Sequence, residues 1–68
     1  MLRVERQGPI VRLVYEGGER EAKEVRLNAQ RTCAFRPVRA YWMSCIYFVR
    51  DNRYAKDLIR VLLDHPGA

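Results

Sequence analysis

The most distinctive chemistry in this sequence lies in a run of 26 residues, from Val25 to Arg50, which contains five arginines and no acidic side chain. The formal net charge of the chain is +5, and this block accounts for all of it, because the remaining residues include eight bases and eight acids. The same block contains five aromatic residues: Phe35, Tyr41, Trp42, Tyr47 and Phe48. Arginine binds phosphates through a planar, bidentate fork, and aromatic rings stack on bases. The pattern therefore predicts a surface that binds an anionic partner.

The predicted binding surface combines guanidinium groups with exposed rings. It consists of Arg31, Arg36 and Arg39 as anion contacts, Tyr41 and Trp42 as stacking or anchoring rings, and Arg50 and Arg53 at the rim. The partner that this composition favours is nucleic acid or a nucleic-acid-handling complex. An acid-free run also arises by chance in small arginine-rich proteins, so a merely solvated face is the competing interpretation.

Catalytic chemistry is not expected from this set of residues. Nucleophilic catalysis needs a nucleophile, a base and an orienting group, and the single histidine, His65, follows the predicted last helix, where an imidazolium interacts favourably with the helix dipole. Cys33 and Cys45 are twelve positions apart and, with His65, lack the short spacings of a metal site. The Gly17-Gly18 pair is not followed by the Lys-Ser/Thr of a phosphate-binding loop. We therefore expect a protein that is not an enzyme and that has no catalytic residues, metal or cofactor.

The length of 68 residues predicts a single small domain that spans residues 1–68. A chain of this size buries only about 60% of the surface that its unfolded form exposes, which excludes a multi-domain enzyme or a large cofactor-binding barrel. The longest apolar run, Tyr41 to Val49, has nine residues, whereas a membrane helix needs about 20. Charges near the N-terminus argue against a secretory signal. We expect a cytoplasmic protein with two reduced cysteines and no membrane association.

Alternating apolar residues predict strands in the first part of the chain. Residues 2–15 have the period of two that is expected for a strand, and Gly8-Pro9 interrupts them as a tight turn or an edge kink. Gly17-Gly18 ends this region. The following segment, Glu19 to Arg31, fits either a helix or a strand. The strand interpretation is favoured here, since a hairpin with a long loop would pair Leu13 with Val25 and bury both side chains.

The second half of the chain predicts one more strand and a helix. The run from Tyr41 to Val49 is rich in aromatic and β-branched residues and is apolar on both faces. Asp51-Asn52 then supplies an N-cap for a helix that has apolar residues at helical spacing and that ends at Pro66-Gly67. The predicted fold is α+β, a small antiparallel sheet of three to four strands with one C-terminal helix packed on it.

This architecture leaves part of the aromatic strand uncovered, because one helix covers only one face of a small sheet. The other face is predicted to pack in a homodimer or to form the binding site. In size and general character the chain looks like the small proteins encoded by phages and mobile elements. That likeness implies an alternative function: an inhibitor or adaptor that binds and blocks one host protein, with an acidic surface, through the aromatic strand.

Overall fold

Two helices pack on one face of a four-stranded antiparallel sheet in the computed structural model, which describes residues 1–64. The elements in chain order are β1 (Leu2–Gln7), β2 (Ile10–Glu16), α1 (Glu19–Cys33), β3 (Arg39–Ala40), β4 (Ser44–Arg50) and α2 (Arg53–Leu63). The strand order in the sheet is β1-β2-β4-β3, so that β2 and β4 are central. The predicted α+β architecture with a helix after the strands is confirmed.

The core forms between the two central strands and the helices. In the register of β2 and β4, Leu13 pairs with Tyr47 and Tyr15 pairs with Cys45, and these four side chains are fully buried. The helices cover them with residues at helical spacing: Ala22, Val25 and Ala29 of α1, and Ala55, Leu58 and Leu62 of α2. Three of these six residues are alanines, and their short side chains allow the helix backbones to approach the sheet closely.

The turn between β1 and β2 is the one that Gly8-Pro9 predicts. β1 ends at Gln7, β2 begins at Ile10, and the two strands pair as an antiparallel hairpin. Gly8 has a φ of +62°, a left-handed conformation that glycine adopts without the steric cost of a Cβ atom. The tight-turn interpretation of this dipeptide is therefore confirmed.

The segment after Gly18 is a helix, and the strand interpretation of residues 19–31 is wrong. The acidic residues Glu19 and Glu21 occupy the first turn of α1, where they interact favourably with the helix dipole. Leu27, which a strand would have placed on the same face as Val25, is 41% exposed. The predicted pairing of Leu13 with Val25 does not form because β4 lies beside β2 and offers a larger apolar set to the core.

The aromatic strand is shorter than the sequence predicts. Residues 44–50 form β4, whereas residues 41–43 form a loop that joins β3 to β4 and that we call the hairpin loop. The amide of Tyr41 donates to the carbonyl oxygen of Ser44 at 2.8 Å, which closes this loop. The prediction that the strand is apolar on both faces is confirmed for β4, because Tyr47 faces the helices while Ile46 and Phe48 point to the other side.

The C-terminal helix begins where the sequence predicts. The Asn52 side chain accepts a hydrogen bond from the Tyr54 amide at 2.9 Å and so satisfies one of the free donors at the start of α2. The predicted stop at Pro66-Gly67, and His65 with it, lie outside the described residues. Neither helix among residues 1–64 is long and apolar enough to cross a membrane.

Candidate binding surface on the open sheet face

The face of the sheet opposite the helices, which we call the open face, has an apolar centre. Strand alternation places Ile46 and Phe48 of β4 there, opposite Val14 and Arg12 of β2. Val14 is only 3% exposed and forms the floor, whereas Phe48 is 49% exposed. The most accessible ring on the sheet therefore lies on a central strand rather than at an edge.

The charges on the open face differ between its two halves. On the β1 side, carboxylates neutralise the arginines: Arg3 pairs with Glu16 at 2.9 Å and Arg12 pairs with Glu5 at 2.9 Å. On the other side, β3 contributes Arg39, opposite Ile46, and β4 ends with Arg50.

Neither Arg39 nor Arg50 takes part in any of the four ion pairs found in residues 1–64. We call this part of the surface the β3–β4 half of the open face. Within residues 1–64, no carboxylate forms an ion pair with its two arginines, both of which come from the acid-free block of the sequence.

A shallow hollow of about 240 Å³ lies within the β3–β4 half of the open face. Its lining consists of Arg12, Val38, Arg39, Ile46 and Phe48. The Arg39 guanidinium donates a hydrogen bond to the Tyr41 hydroxyl at 3.2 Å, and this contact raises the pKa of Arg39 above its usual value. The hollow thus presents an accessible ring beside Arg39, whereas the charge of Arg12 is compensated by Glu5. A ring next to an uncompensated cation suits a planar group attached to an anion.

The hairpin loop projects its aromatic side chains at the end of this surface. Tyr41 is 53% exposed and Trp42 is 80% exposed. Both line a second depression, of about 280 Å³, between the loop and α1, to which α1 contributes Glu19, Lys23 and Arg26. Trp42 is therefore highly exposed, and it lies in a loop rather than in the strand that the sequence predicts.

The structure brings together some of the predicted site residues and separates others. Arg39 and Arg50 lie on the open face, and Tyr41 and Trp42 lie on the adjoining hairpin loop. Arg36 is an exposed residue of the segment between α1 and β3.

Arg31 and Arg53 lie elsewhere on the molecule. Arg31 is near the end of α1, in a depression with Leu27 and Gln30. Arg53 begins α2 and lies over the Tyr54 ring, with its guanidinium carbon 5.1 Å from the ring centroid. Of the five predicted guanidinium groups, only Arg39 and Arg50 are strand residues of the open face, so the five do not form one continuous patch.

Phe48 and Arg12 line the hollow on the open face although neither is among the site residues predicted from the sequence. In a strand that is apolar on both faces, the alternation alone does not tell which face the helices cover. The deciding fact is the pairing of β2 with β4, which buries Tyr47 beside Leu13 and leaves Phe48 beside Arg12.

The two thiols are neutral groups of the helix side. Burial raises the pKa of Cys45, and burial together with the charge of Asp57 raises the pKa of Cys33. A protonated thiol is a weak nucleophile. Cys33 lies in a cleft of about 470 Å³ between the end of α1 and α2. Among the described residues, no three His, Cys, Asp or Glu side chains are grouped so that they could hold a metal ion.

Comparison with known proteins gives no relative for this chain: it matches no family model, no curated protein and no solved structure. Its function is therefore inferred from the geometry of its own residues.

Proposed function

We propose that this protein is a non-catalytic binding protein that takes up single-stranded nucleic acid on the β3–β4 half of the open face. The observation that supports this proposal is the half-exposed Phe48 ring on a central strand, flanked by Arg39 and Arg50, neither of which has a carboxylate partner among residues 1–64. The ring stacks on a base, and the guanidinium groups contact the phosphates on either side.

A single strand fits this surface better than a duplex does. In a duplex the bases are stacked on one another, so that a ring on a flat sheet cannot reach their faces, whereas unpaired bases can be spread over an aromatic surface. Phe48 and Tyr41 provide two such rings, and Arg39 lies next to both of them because it lines the hollow with Phe48 and donates to Tyr41. The proposed ligand therefore places neighbouring bases along β4 toward the hairpin loop.

Binding of a fluorescent oligouridine to Phe48→Ala tests this proposal. Loss of one stacked base lowers affinity by about tenfold. The matched control is Tyr54→Ala, which removes a ring of similar exposure from α2, on the other side of the molecule, and should leave affinity unchanged. Far-UV circular dichroism of both variants verifies that they fold. Equal affinity of Phe48→Ala and the unaltered protein would contradict the proposal.

A second candidate function is docking to one host protein, as an inhibitor or adaptor. It is favoured by the concentration of exposed apolar side chains near β3 and β4: Val38, Tyr41, Trp42, Met43 and Phe48. Salt distinguishes the two functions, since binding through phosphates weakens log-linearly with salt while an apolar anchor keeps most of its affinity. Retention of one protein partner after nuclease treatment, and its loss in Phe48→Ala, would support docking instead.

We propose that the open face binds an anionic partner in the cytoplasm rather than a second copy of this chain. A symmetric dimer centred on the β3–β4 half of the open face would bring Arg39 and Arg50 of one protomer toward those of the other, and neither arginine has a carboxylate partner among residues 1–64. Light scattering at micromolar concentration should give the mass of one chain, 8.1 kDa. A mass of two chains that reverts to one in Phe48→Ala would show that the face is a dimer interface.

A further inference from the structure

We infer that the bound strand continues past the open face, across the hairpin loop, into the depression beside α1, where Trp42 stacks on a further base and Lys23 and Arg26 contact the phosphates. This inference rests on the proposed function and extends it. It assigns a second subsite to a part of the molecule that is on the helix side of the sheet edge.

The first support is the environment of Trp42. Its side chain is 80% exposed, although tryptophan is on average among the most buried residue types. The ring lines the depression together with Ala40 and Tyr41. A large ring that contributes so little to the core of a small domain is available to pack against a ligand.

The second support is the charge of the depression. α1 contributes two cations, Lys23 and Arg26, and one carboxylate, Glu19. Arg26 takes part in none of the ion pairs of residues 1–64. The depression is therefore cationic, and Glu19 opposes its two bases at the start of the helix. A phosphate is accepted at the Lys23–Arg26 end and repelled at the Glu19 end.

The third support is continuity between the two subsites. Arg39 lines the hollow of the open face, Tyr41 lines the depression beside α1, and a hydrogen bond of 3.2 Å joins them. From Phe48 to Ser44 the chain covers about 13 Å along β4, and the hairpin loop begins beyond that point. An oligonucleotide that reaches from Phe48 to Trp42 must therefore be longer than one that covers only the open face.

The experiment compares oligouridines of about four and about twelve nucleotides, which bracket common site sizes of single-strand-binding folds. Trp42→Ala should weaken binding of the long oligonucleotide by about tenfold and change binding of the short one by less than about twofold. Trp42→Phe should recover most of the loss. Quenching of the fluorescence of Trp42, the single tryptophan, should accompany binding of the long oligonucleotide only.

Charge variants of α1 test whether the depression binds phosphates. Arg26→Gln should weaken the long oligonucleotide selectively, whereas Arg20→Gln, on the same helix and paired with Glu24 at 3.2 Å, should leave both affinities unchanged. Glu19→Gln should strengthen binding of the long oligonucleotide.

The outcomes separate this inference from the proposed function. If Trp42→Ala leaves both affinities unchanged, or lowers them equally, the second subsite is refuted while Phe48→Ala still tests the open face. If neither oligonucleotide binds, or Phe48→Ala affects neither, the proposed function and this extension fail together.

Discussion

At the scale of single residues, the neighbouring aromatic side chains of β4 have opposite environments. Tyr47 is 1% exposed and packs in the core, whereas Phe48, the next residue, is 49% exposed on the open face. The more polar ring is the buried one. The exposure of Phe48 is therefore not explained by packing in the core, and the proposed binding role gives it a reason. The burial of Tyr47 makes that residue a source of pH dependence.

Stability should fall at high pH because of buried acidic groups. Burial raises the pKa of the Tyr47 hydroxyl and of the Cys45 thiol above their ordinary values of 10.0 and 9.0. The folded chain favours the neutral forms of both groups, so the unfolded chain releases these protons at a lower pH than the folded chain does. Their contribution to the free energy of unfolding is therefore complete below pH 9 and decreases as the pH rises further. Urea unfolding at increasing pH should show a smaller decrease for Tyr47→Phe than for the unaltered protein. As a control, Tyr54→Phe should lose as much stability with rising pH as the unaltered protein does. If Tyr47→Phe also loses as much stability as the unaltered protein, this assignment is refuted.

Ala34, which ends α1, is strained by its backbone conformation. Its φ of 59° is left-handed, and its amide donates to the carbonyl oxygen of Gln30 at 3.0 Å. Glycine adopts this conformation without the Cβ clash, so Ala34→Gly should raise the free energy of unfolding by about 1 kcal/mol. Ala29→Gly, in the middle of the same helix, should lower it by about 1 kcal/mol. If urea unfolding shows that both variants raise, or both lower, the free energy of unfolding, the assignment of strain to Ala34 is contradicted.

At the scale of elements, the sequence predicts those segments whose residues fit one period only. The β1–β2 hairpin follows from alternation and Gly8-Pro9, and α2 follows from its cap and its apolar stripe. Residues 19–33 fit two periods, because Val25 and Ala29 share a face in a helix and also in a strand. Long-range pairing resolves this ambiguity: β4 occupies the edge of β2 and leaves the segment to cover the sheet as α1.

The packing of α2 should contribute strongly to stability, since the core of this domain is small. Leu58 is fully buried against the central strands, whereas Leu63 on the same helix is 56% exposed. Leu58→Ala should lower the free energy of unfolding by about 3 kcal/mol, and Leu63→Ala by less than about 0.5 kcal/mol. Similar urea midpoints for the two variants would show that α2 does not pack as described.

At the scale of the whole molecule, the two faces of the sheet differ in what covers them. The helices bury the core on one face, while the other face is open and carries Arg39 and Arg50, two of the bases that form no ion pair among residues 1–64. The acid-free block of the sequence predicts a cationic surface, and its members Arg39 and Arg50 lie on the open face. The block also contains Arg31, which lies elsewhere, because the order of charges along the chain does not reveal which residues the fold brings together. Arg12 lines the hollow but lies outside the block, since β2 contributes it.

The charge distribution predicts which arginines set the salt dependence of binding. Each phosphate contact with a single strand adds about 0.7 to the slope of log K against log salt concentration. Arg39→Gln should reduce the slope by about this amount. Arg6→Gln makes the same change in net charge. This variant should leave the slope unchanged, because Arg6 is paired with Asp51 at 2.9 Å. Equal slopes for the two variants would mean that only the net charge matters.

Mapping a short oligouridine on the protein by amide chemical shifts tests the central claim most directly. The predicted result is that the largest changes occur in β3 and β4, at Arg39, Ile46, Phe48 and Arg50, while the amides of α2 remain unaffected. Changes confined to the helices, or no changes at concentrations that saturate nucleic-acid-binding domains, would contradict the assignment of the open face as the binding surface.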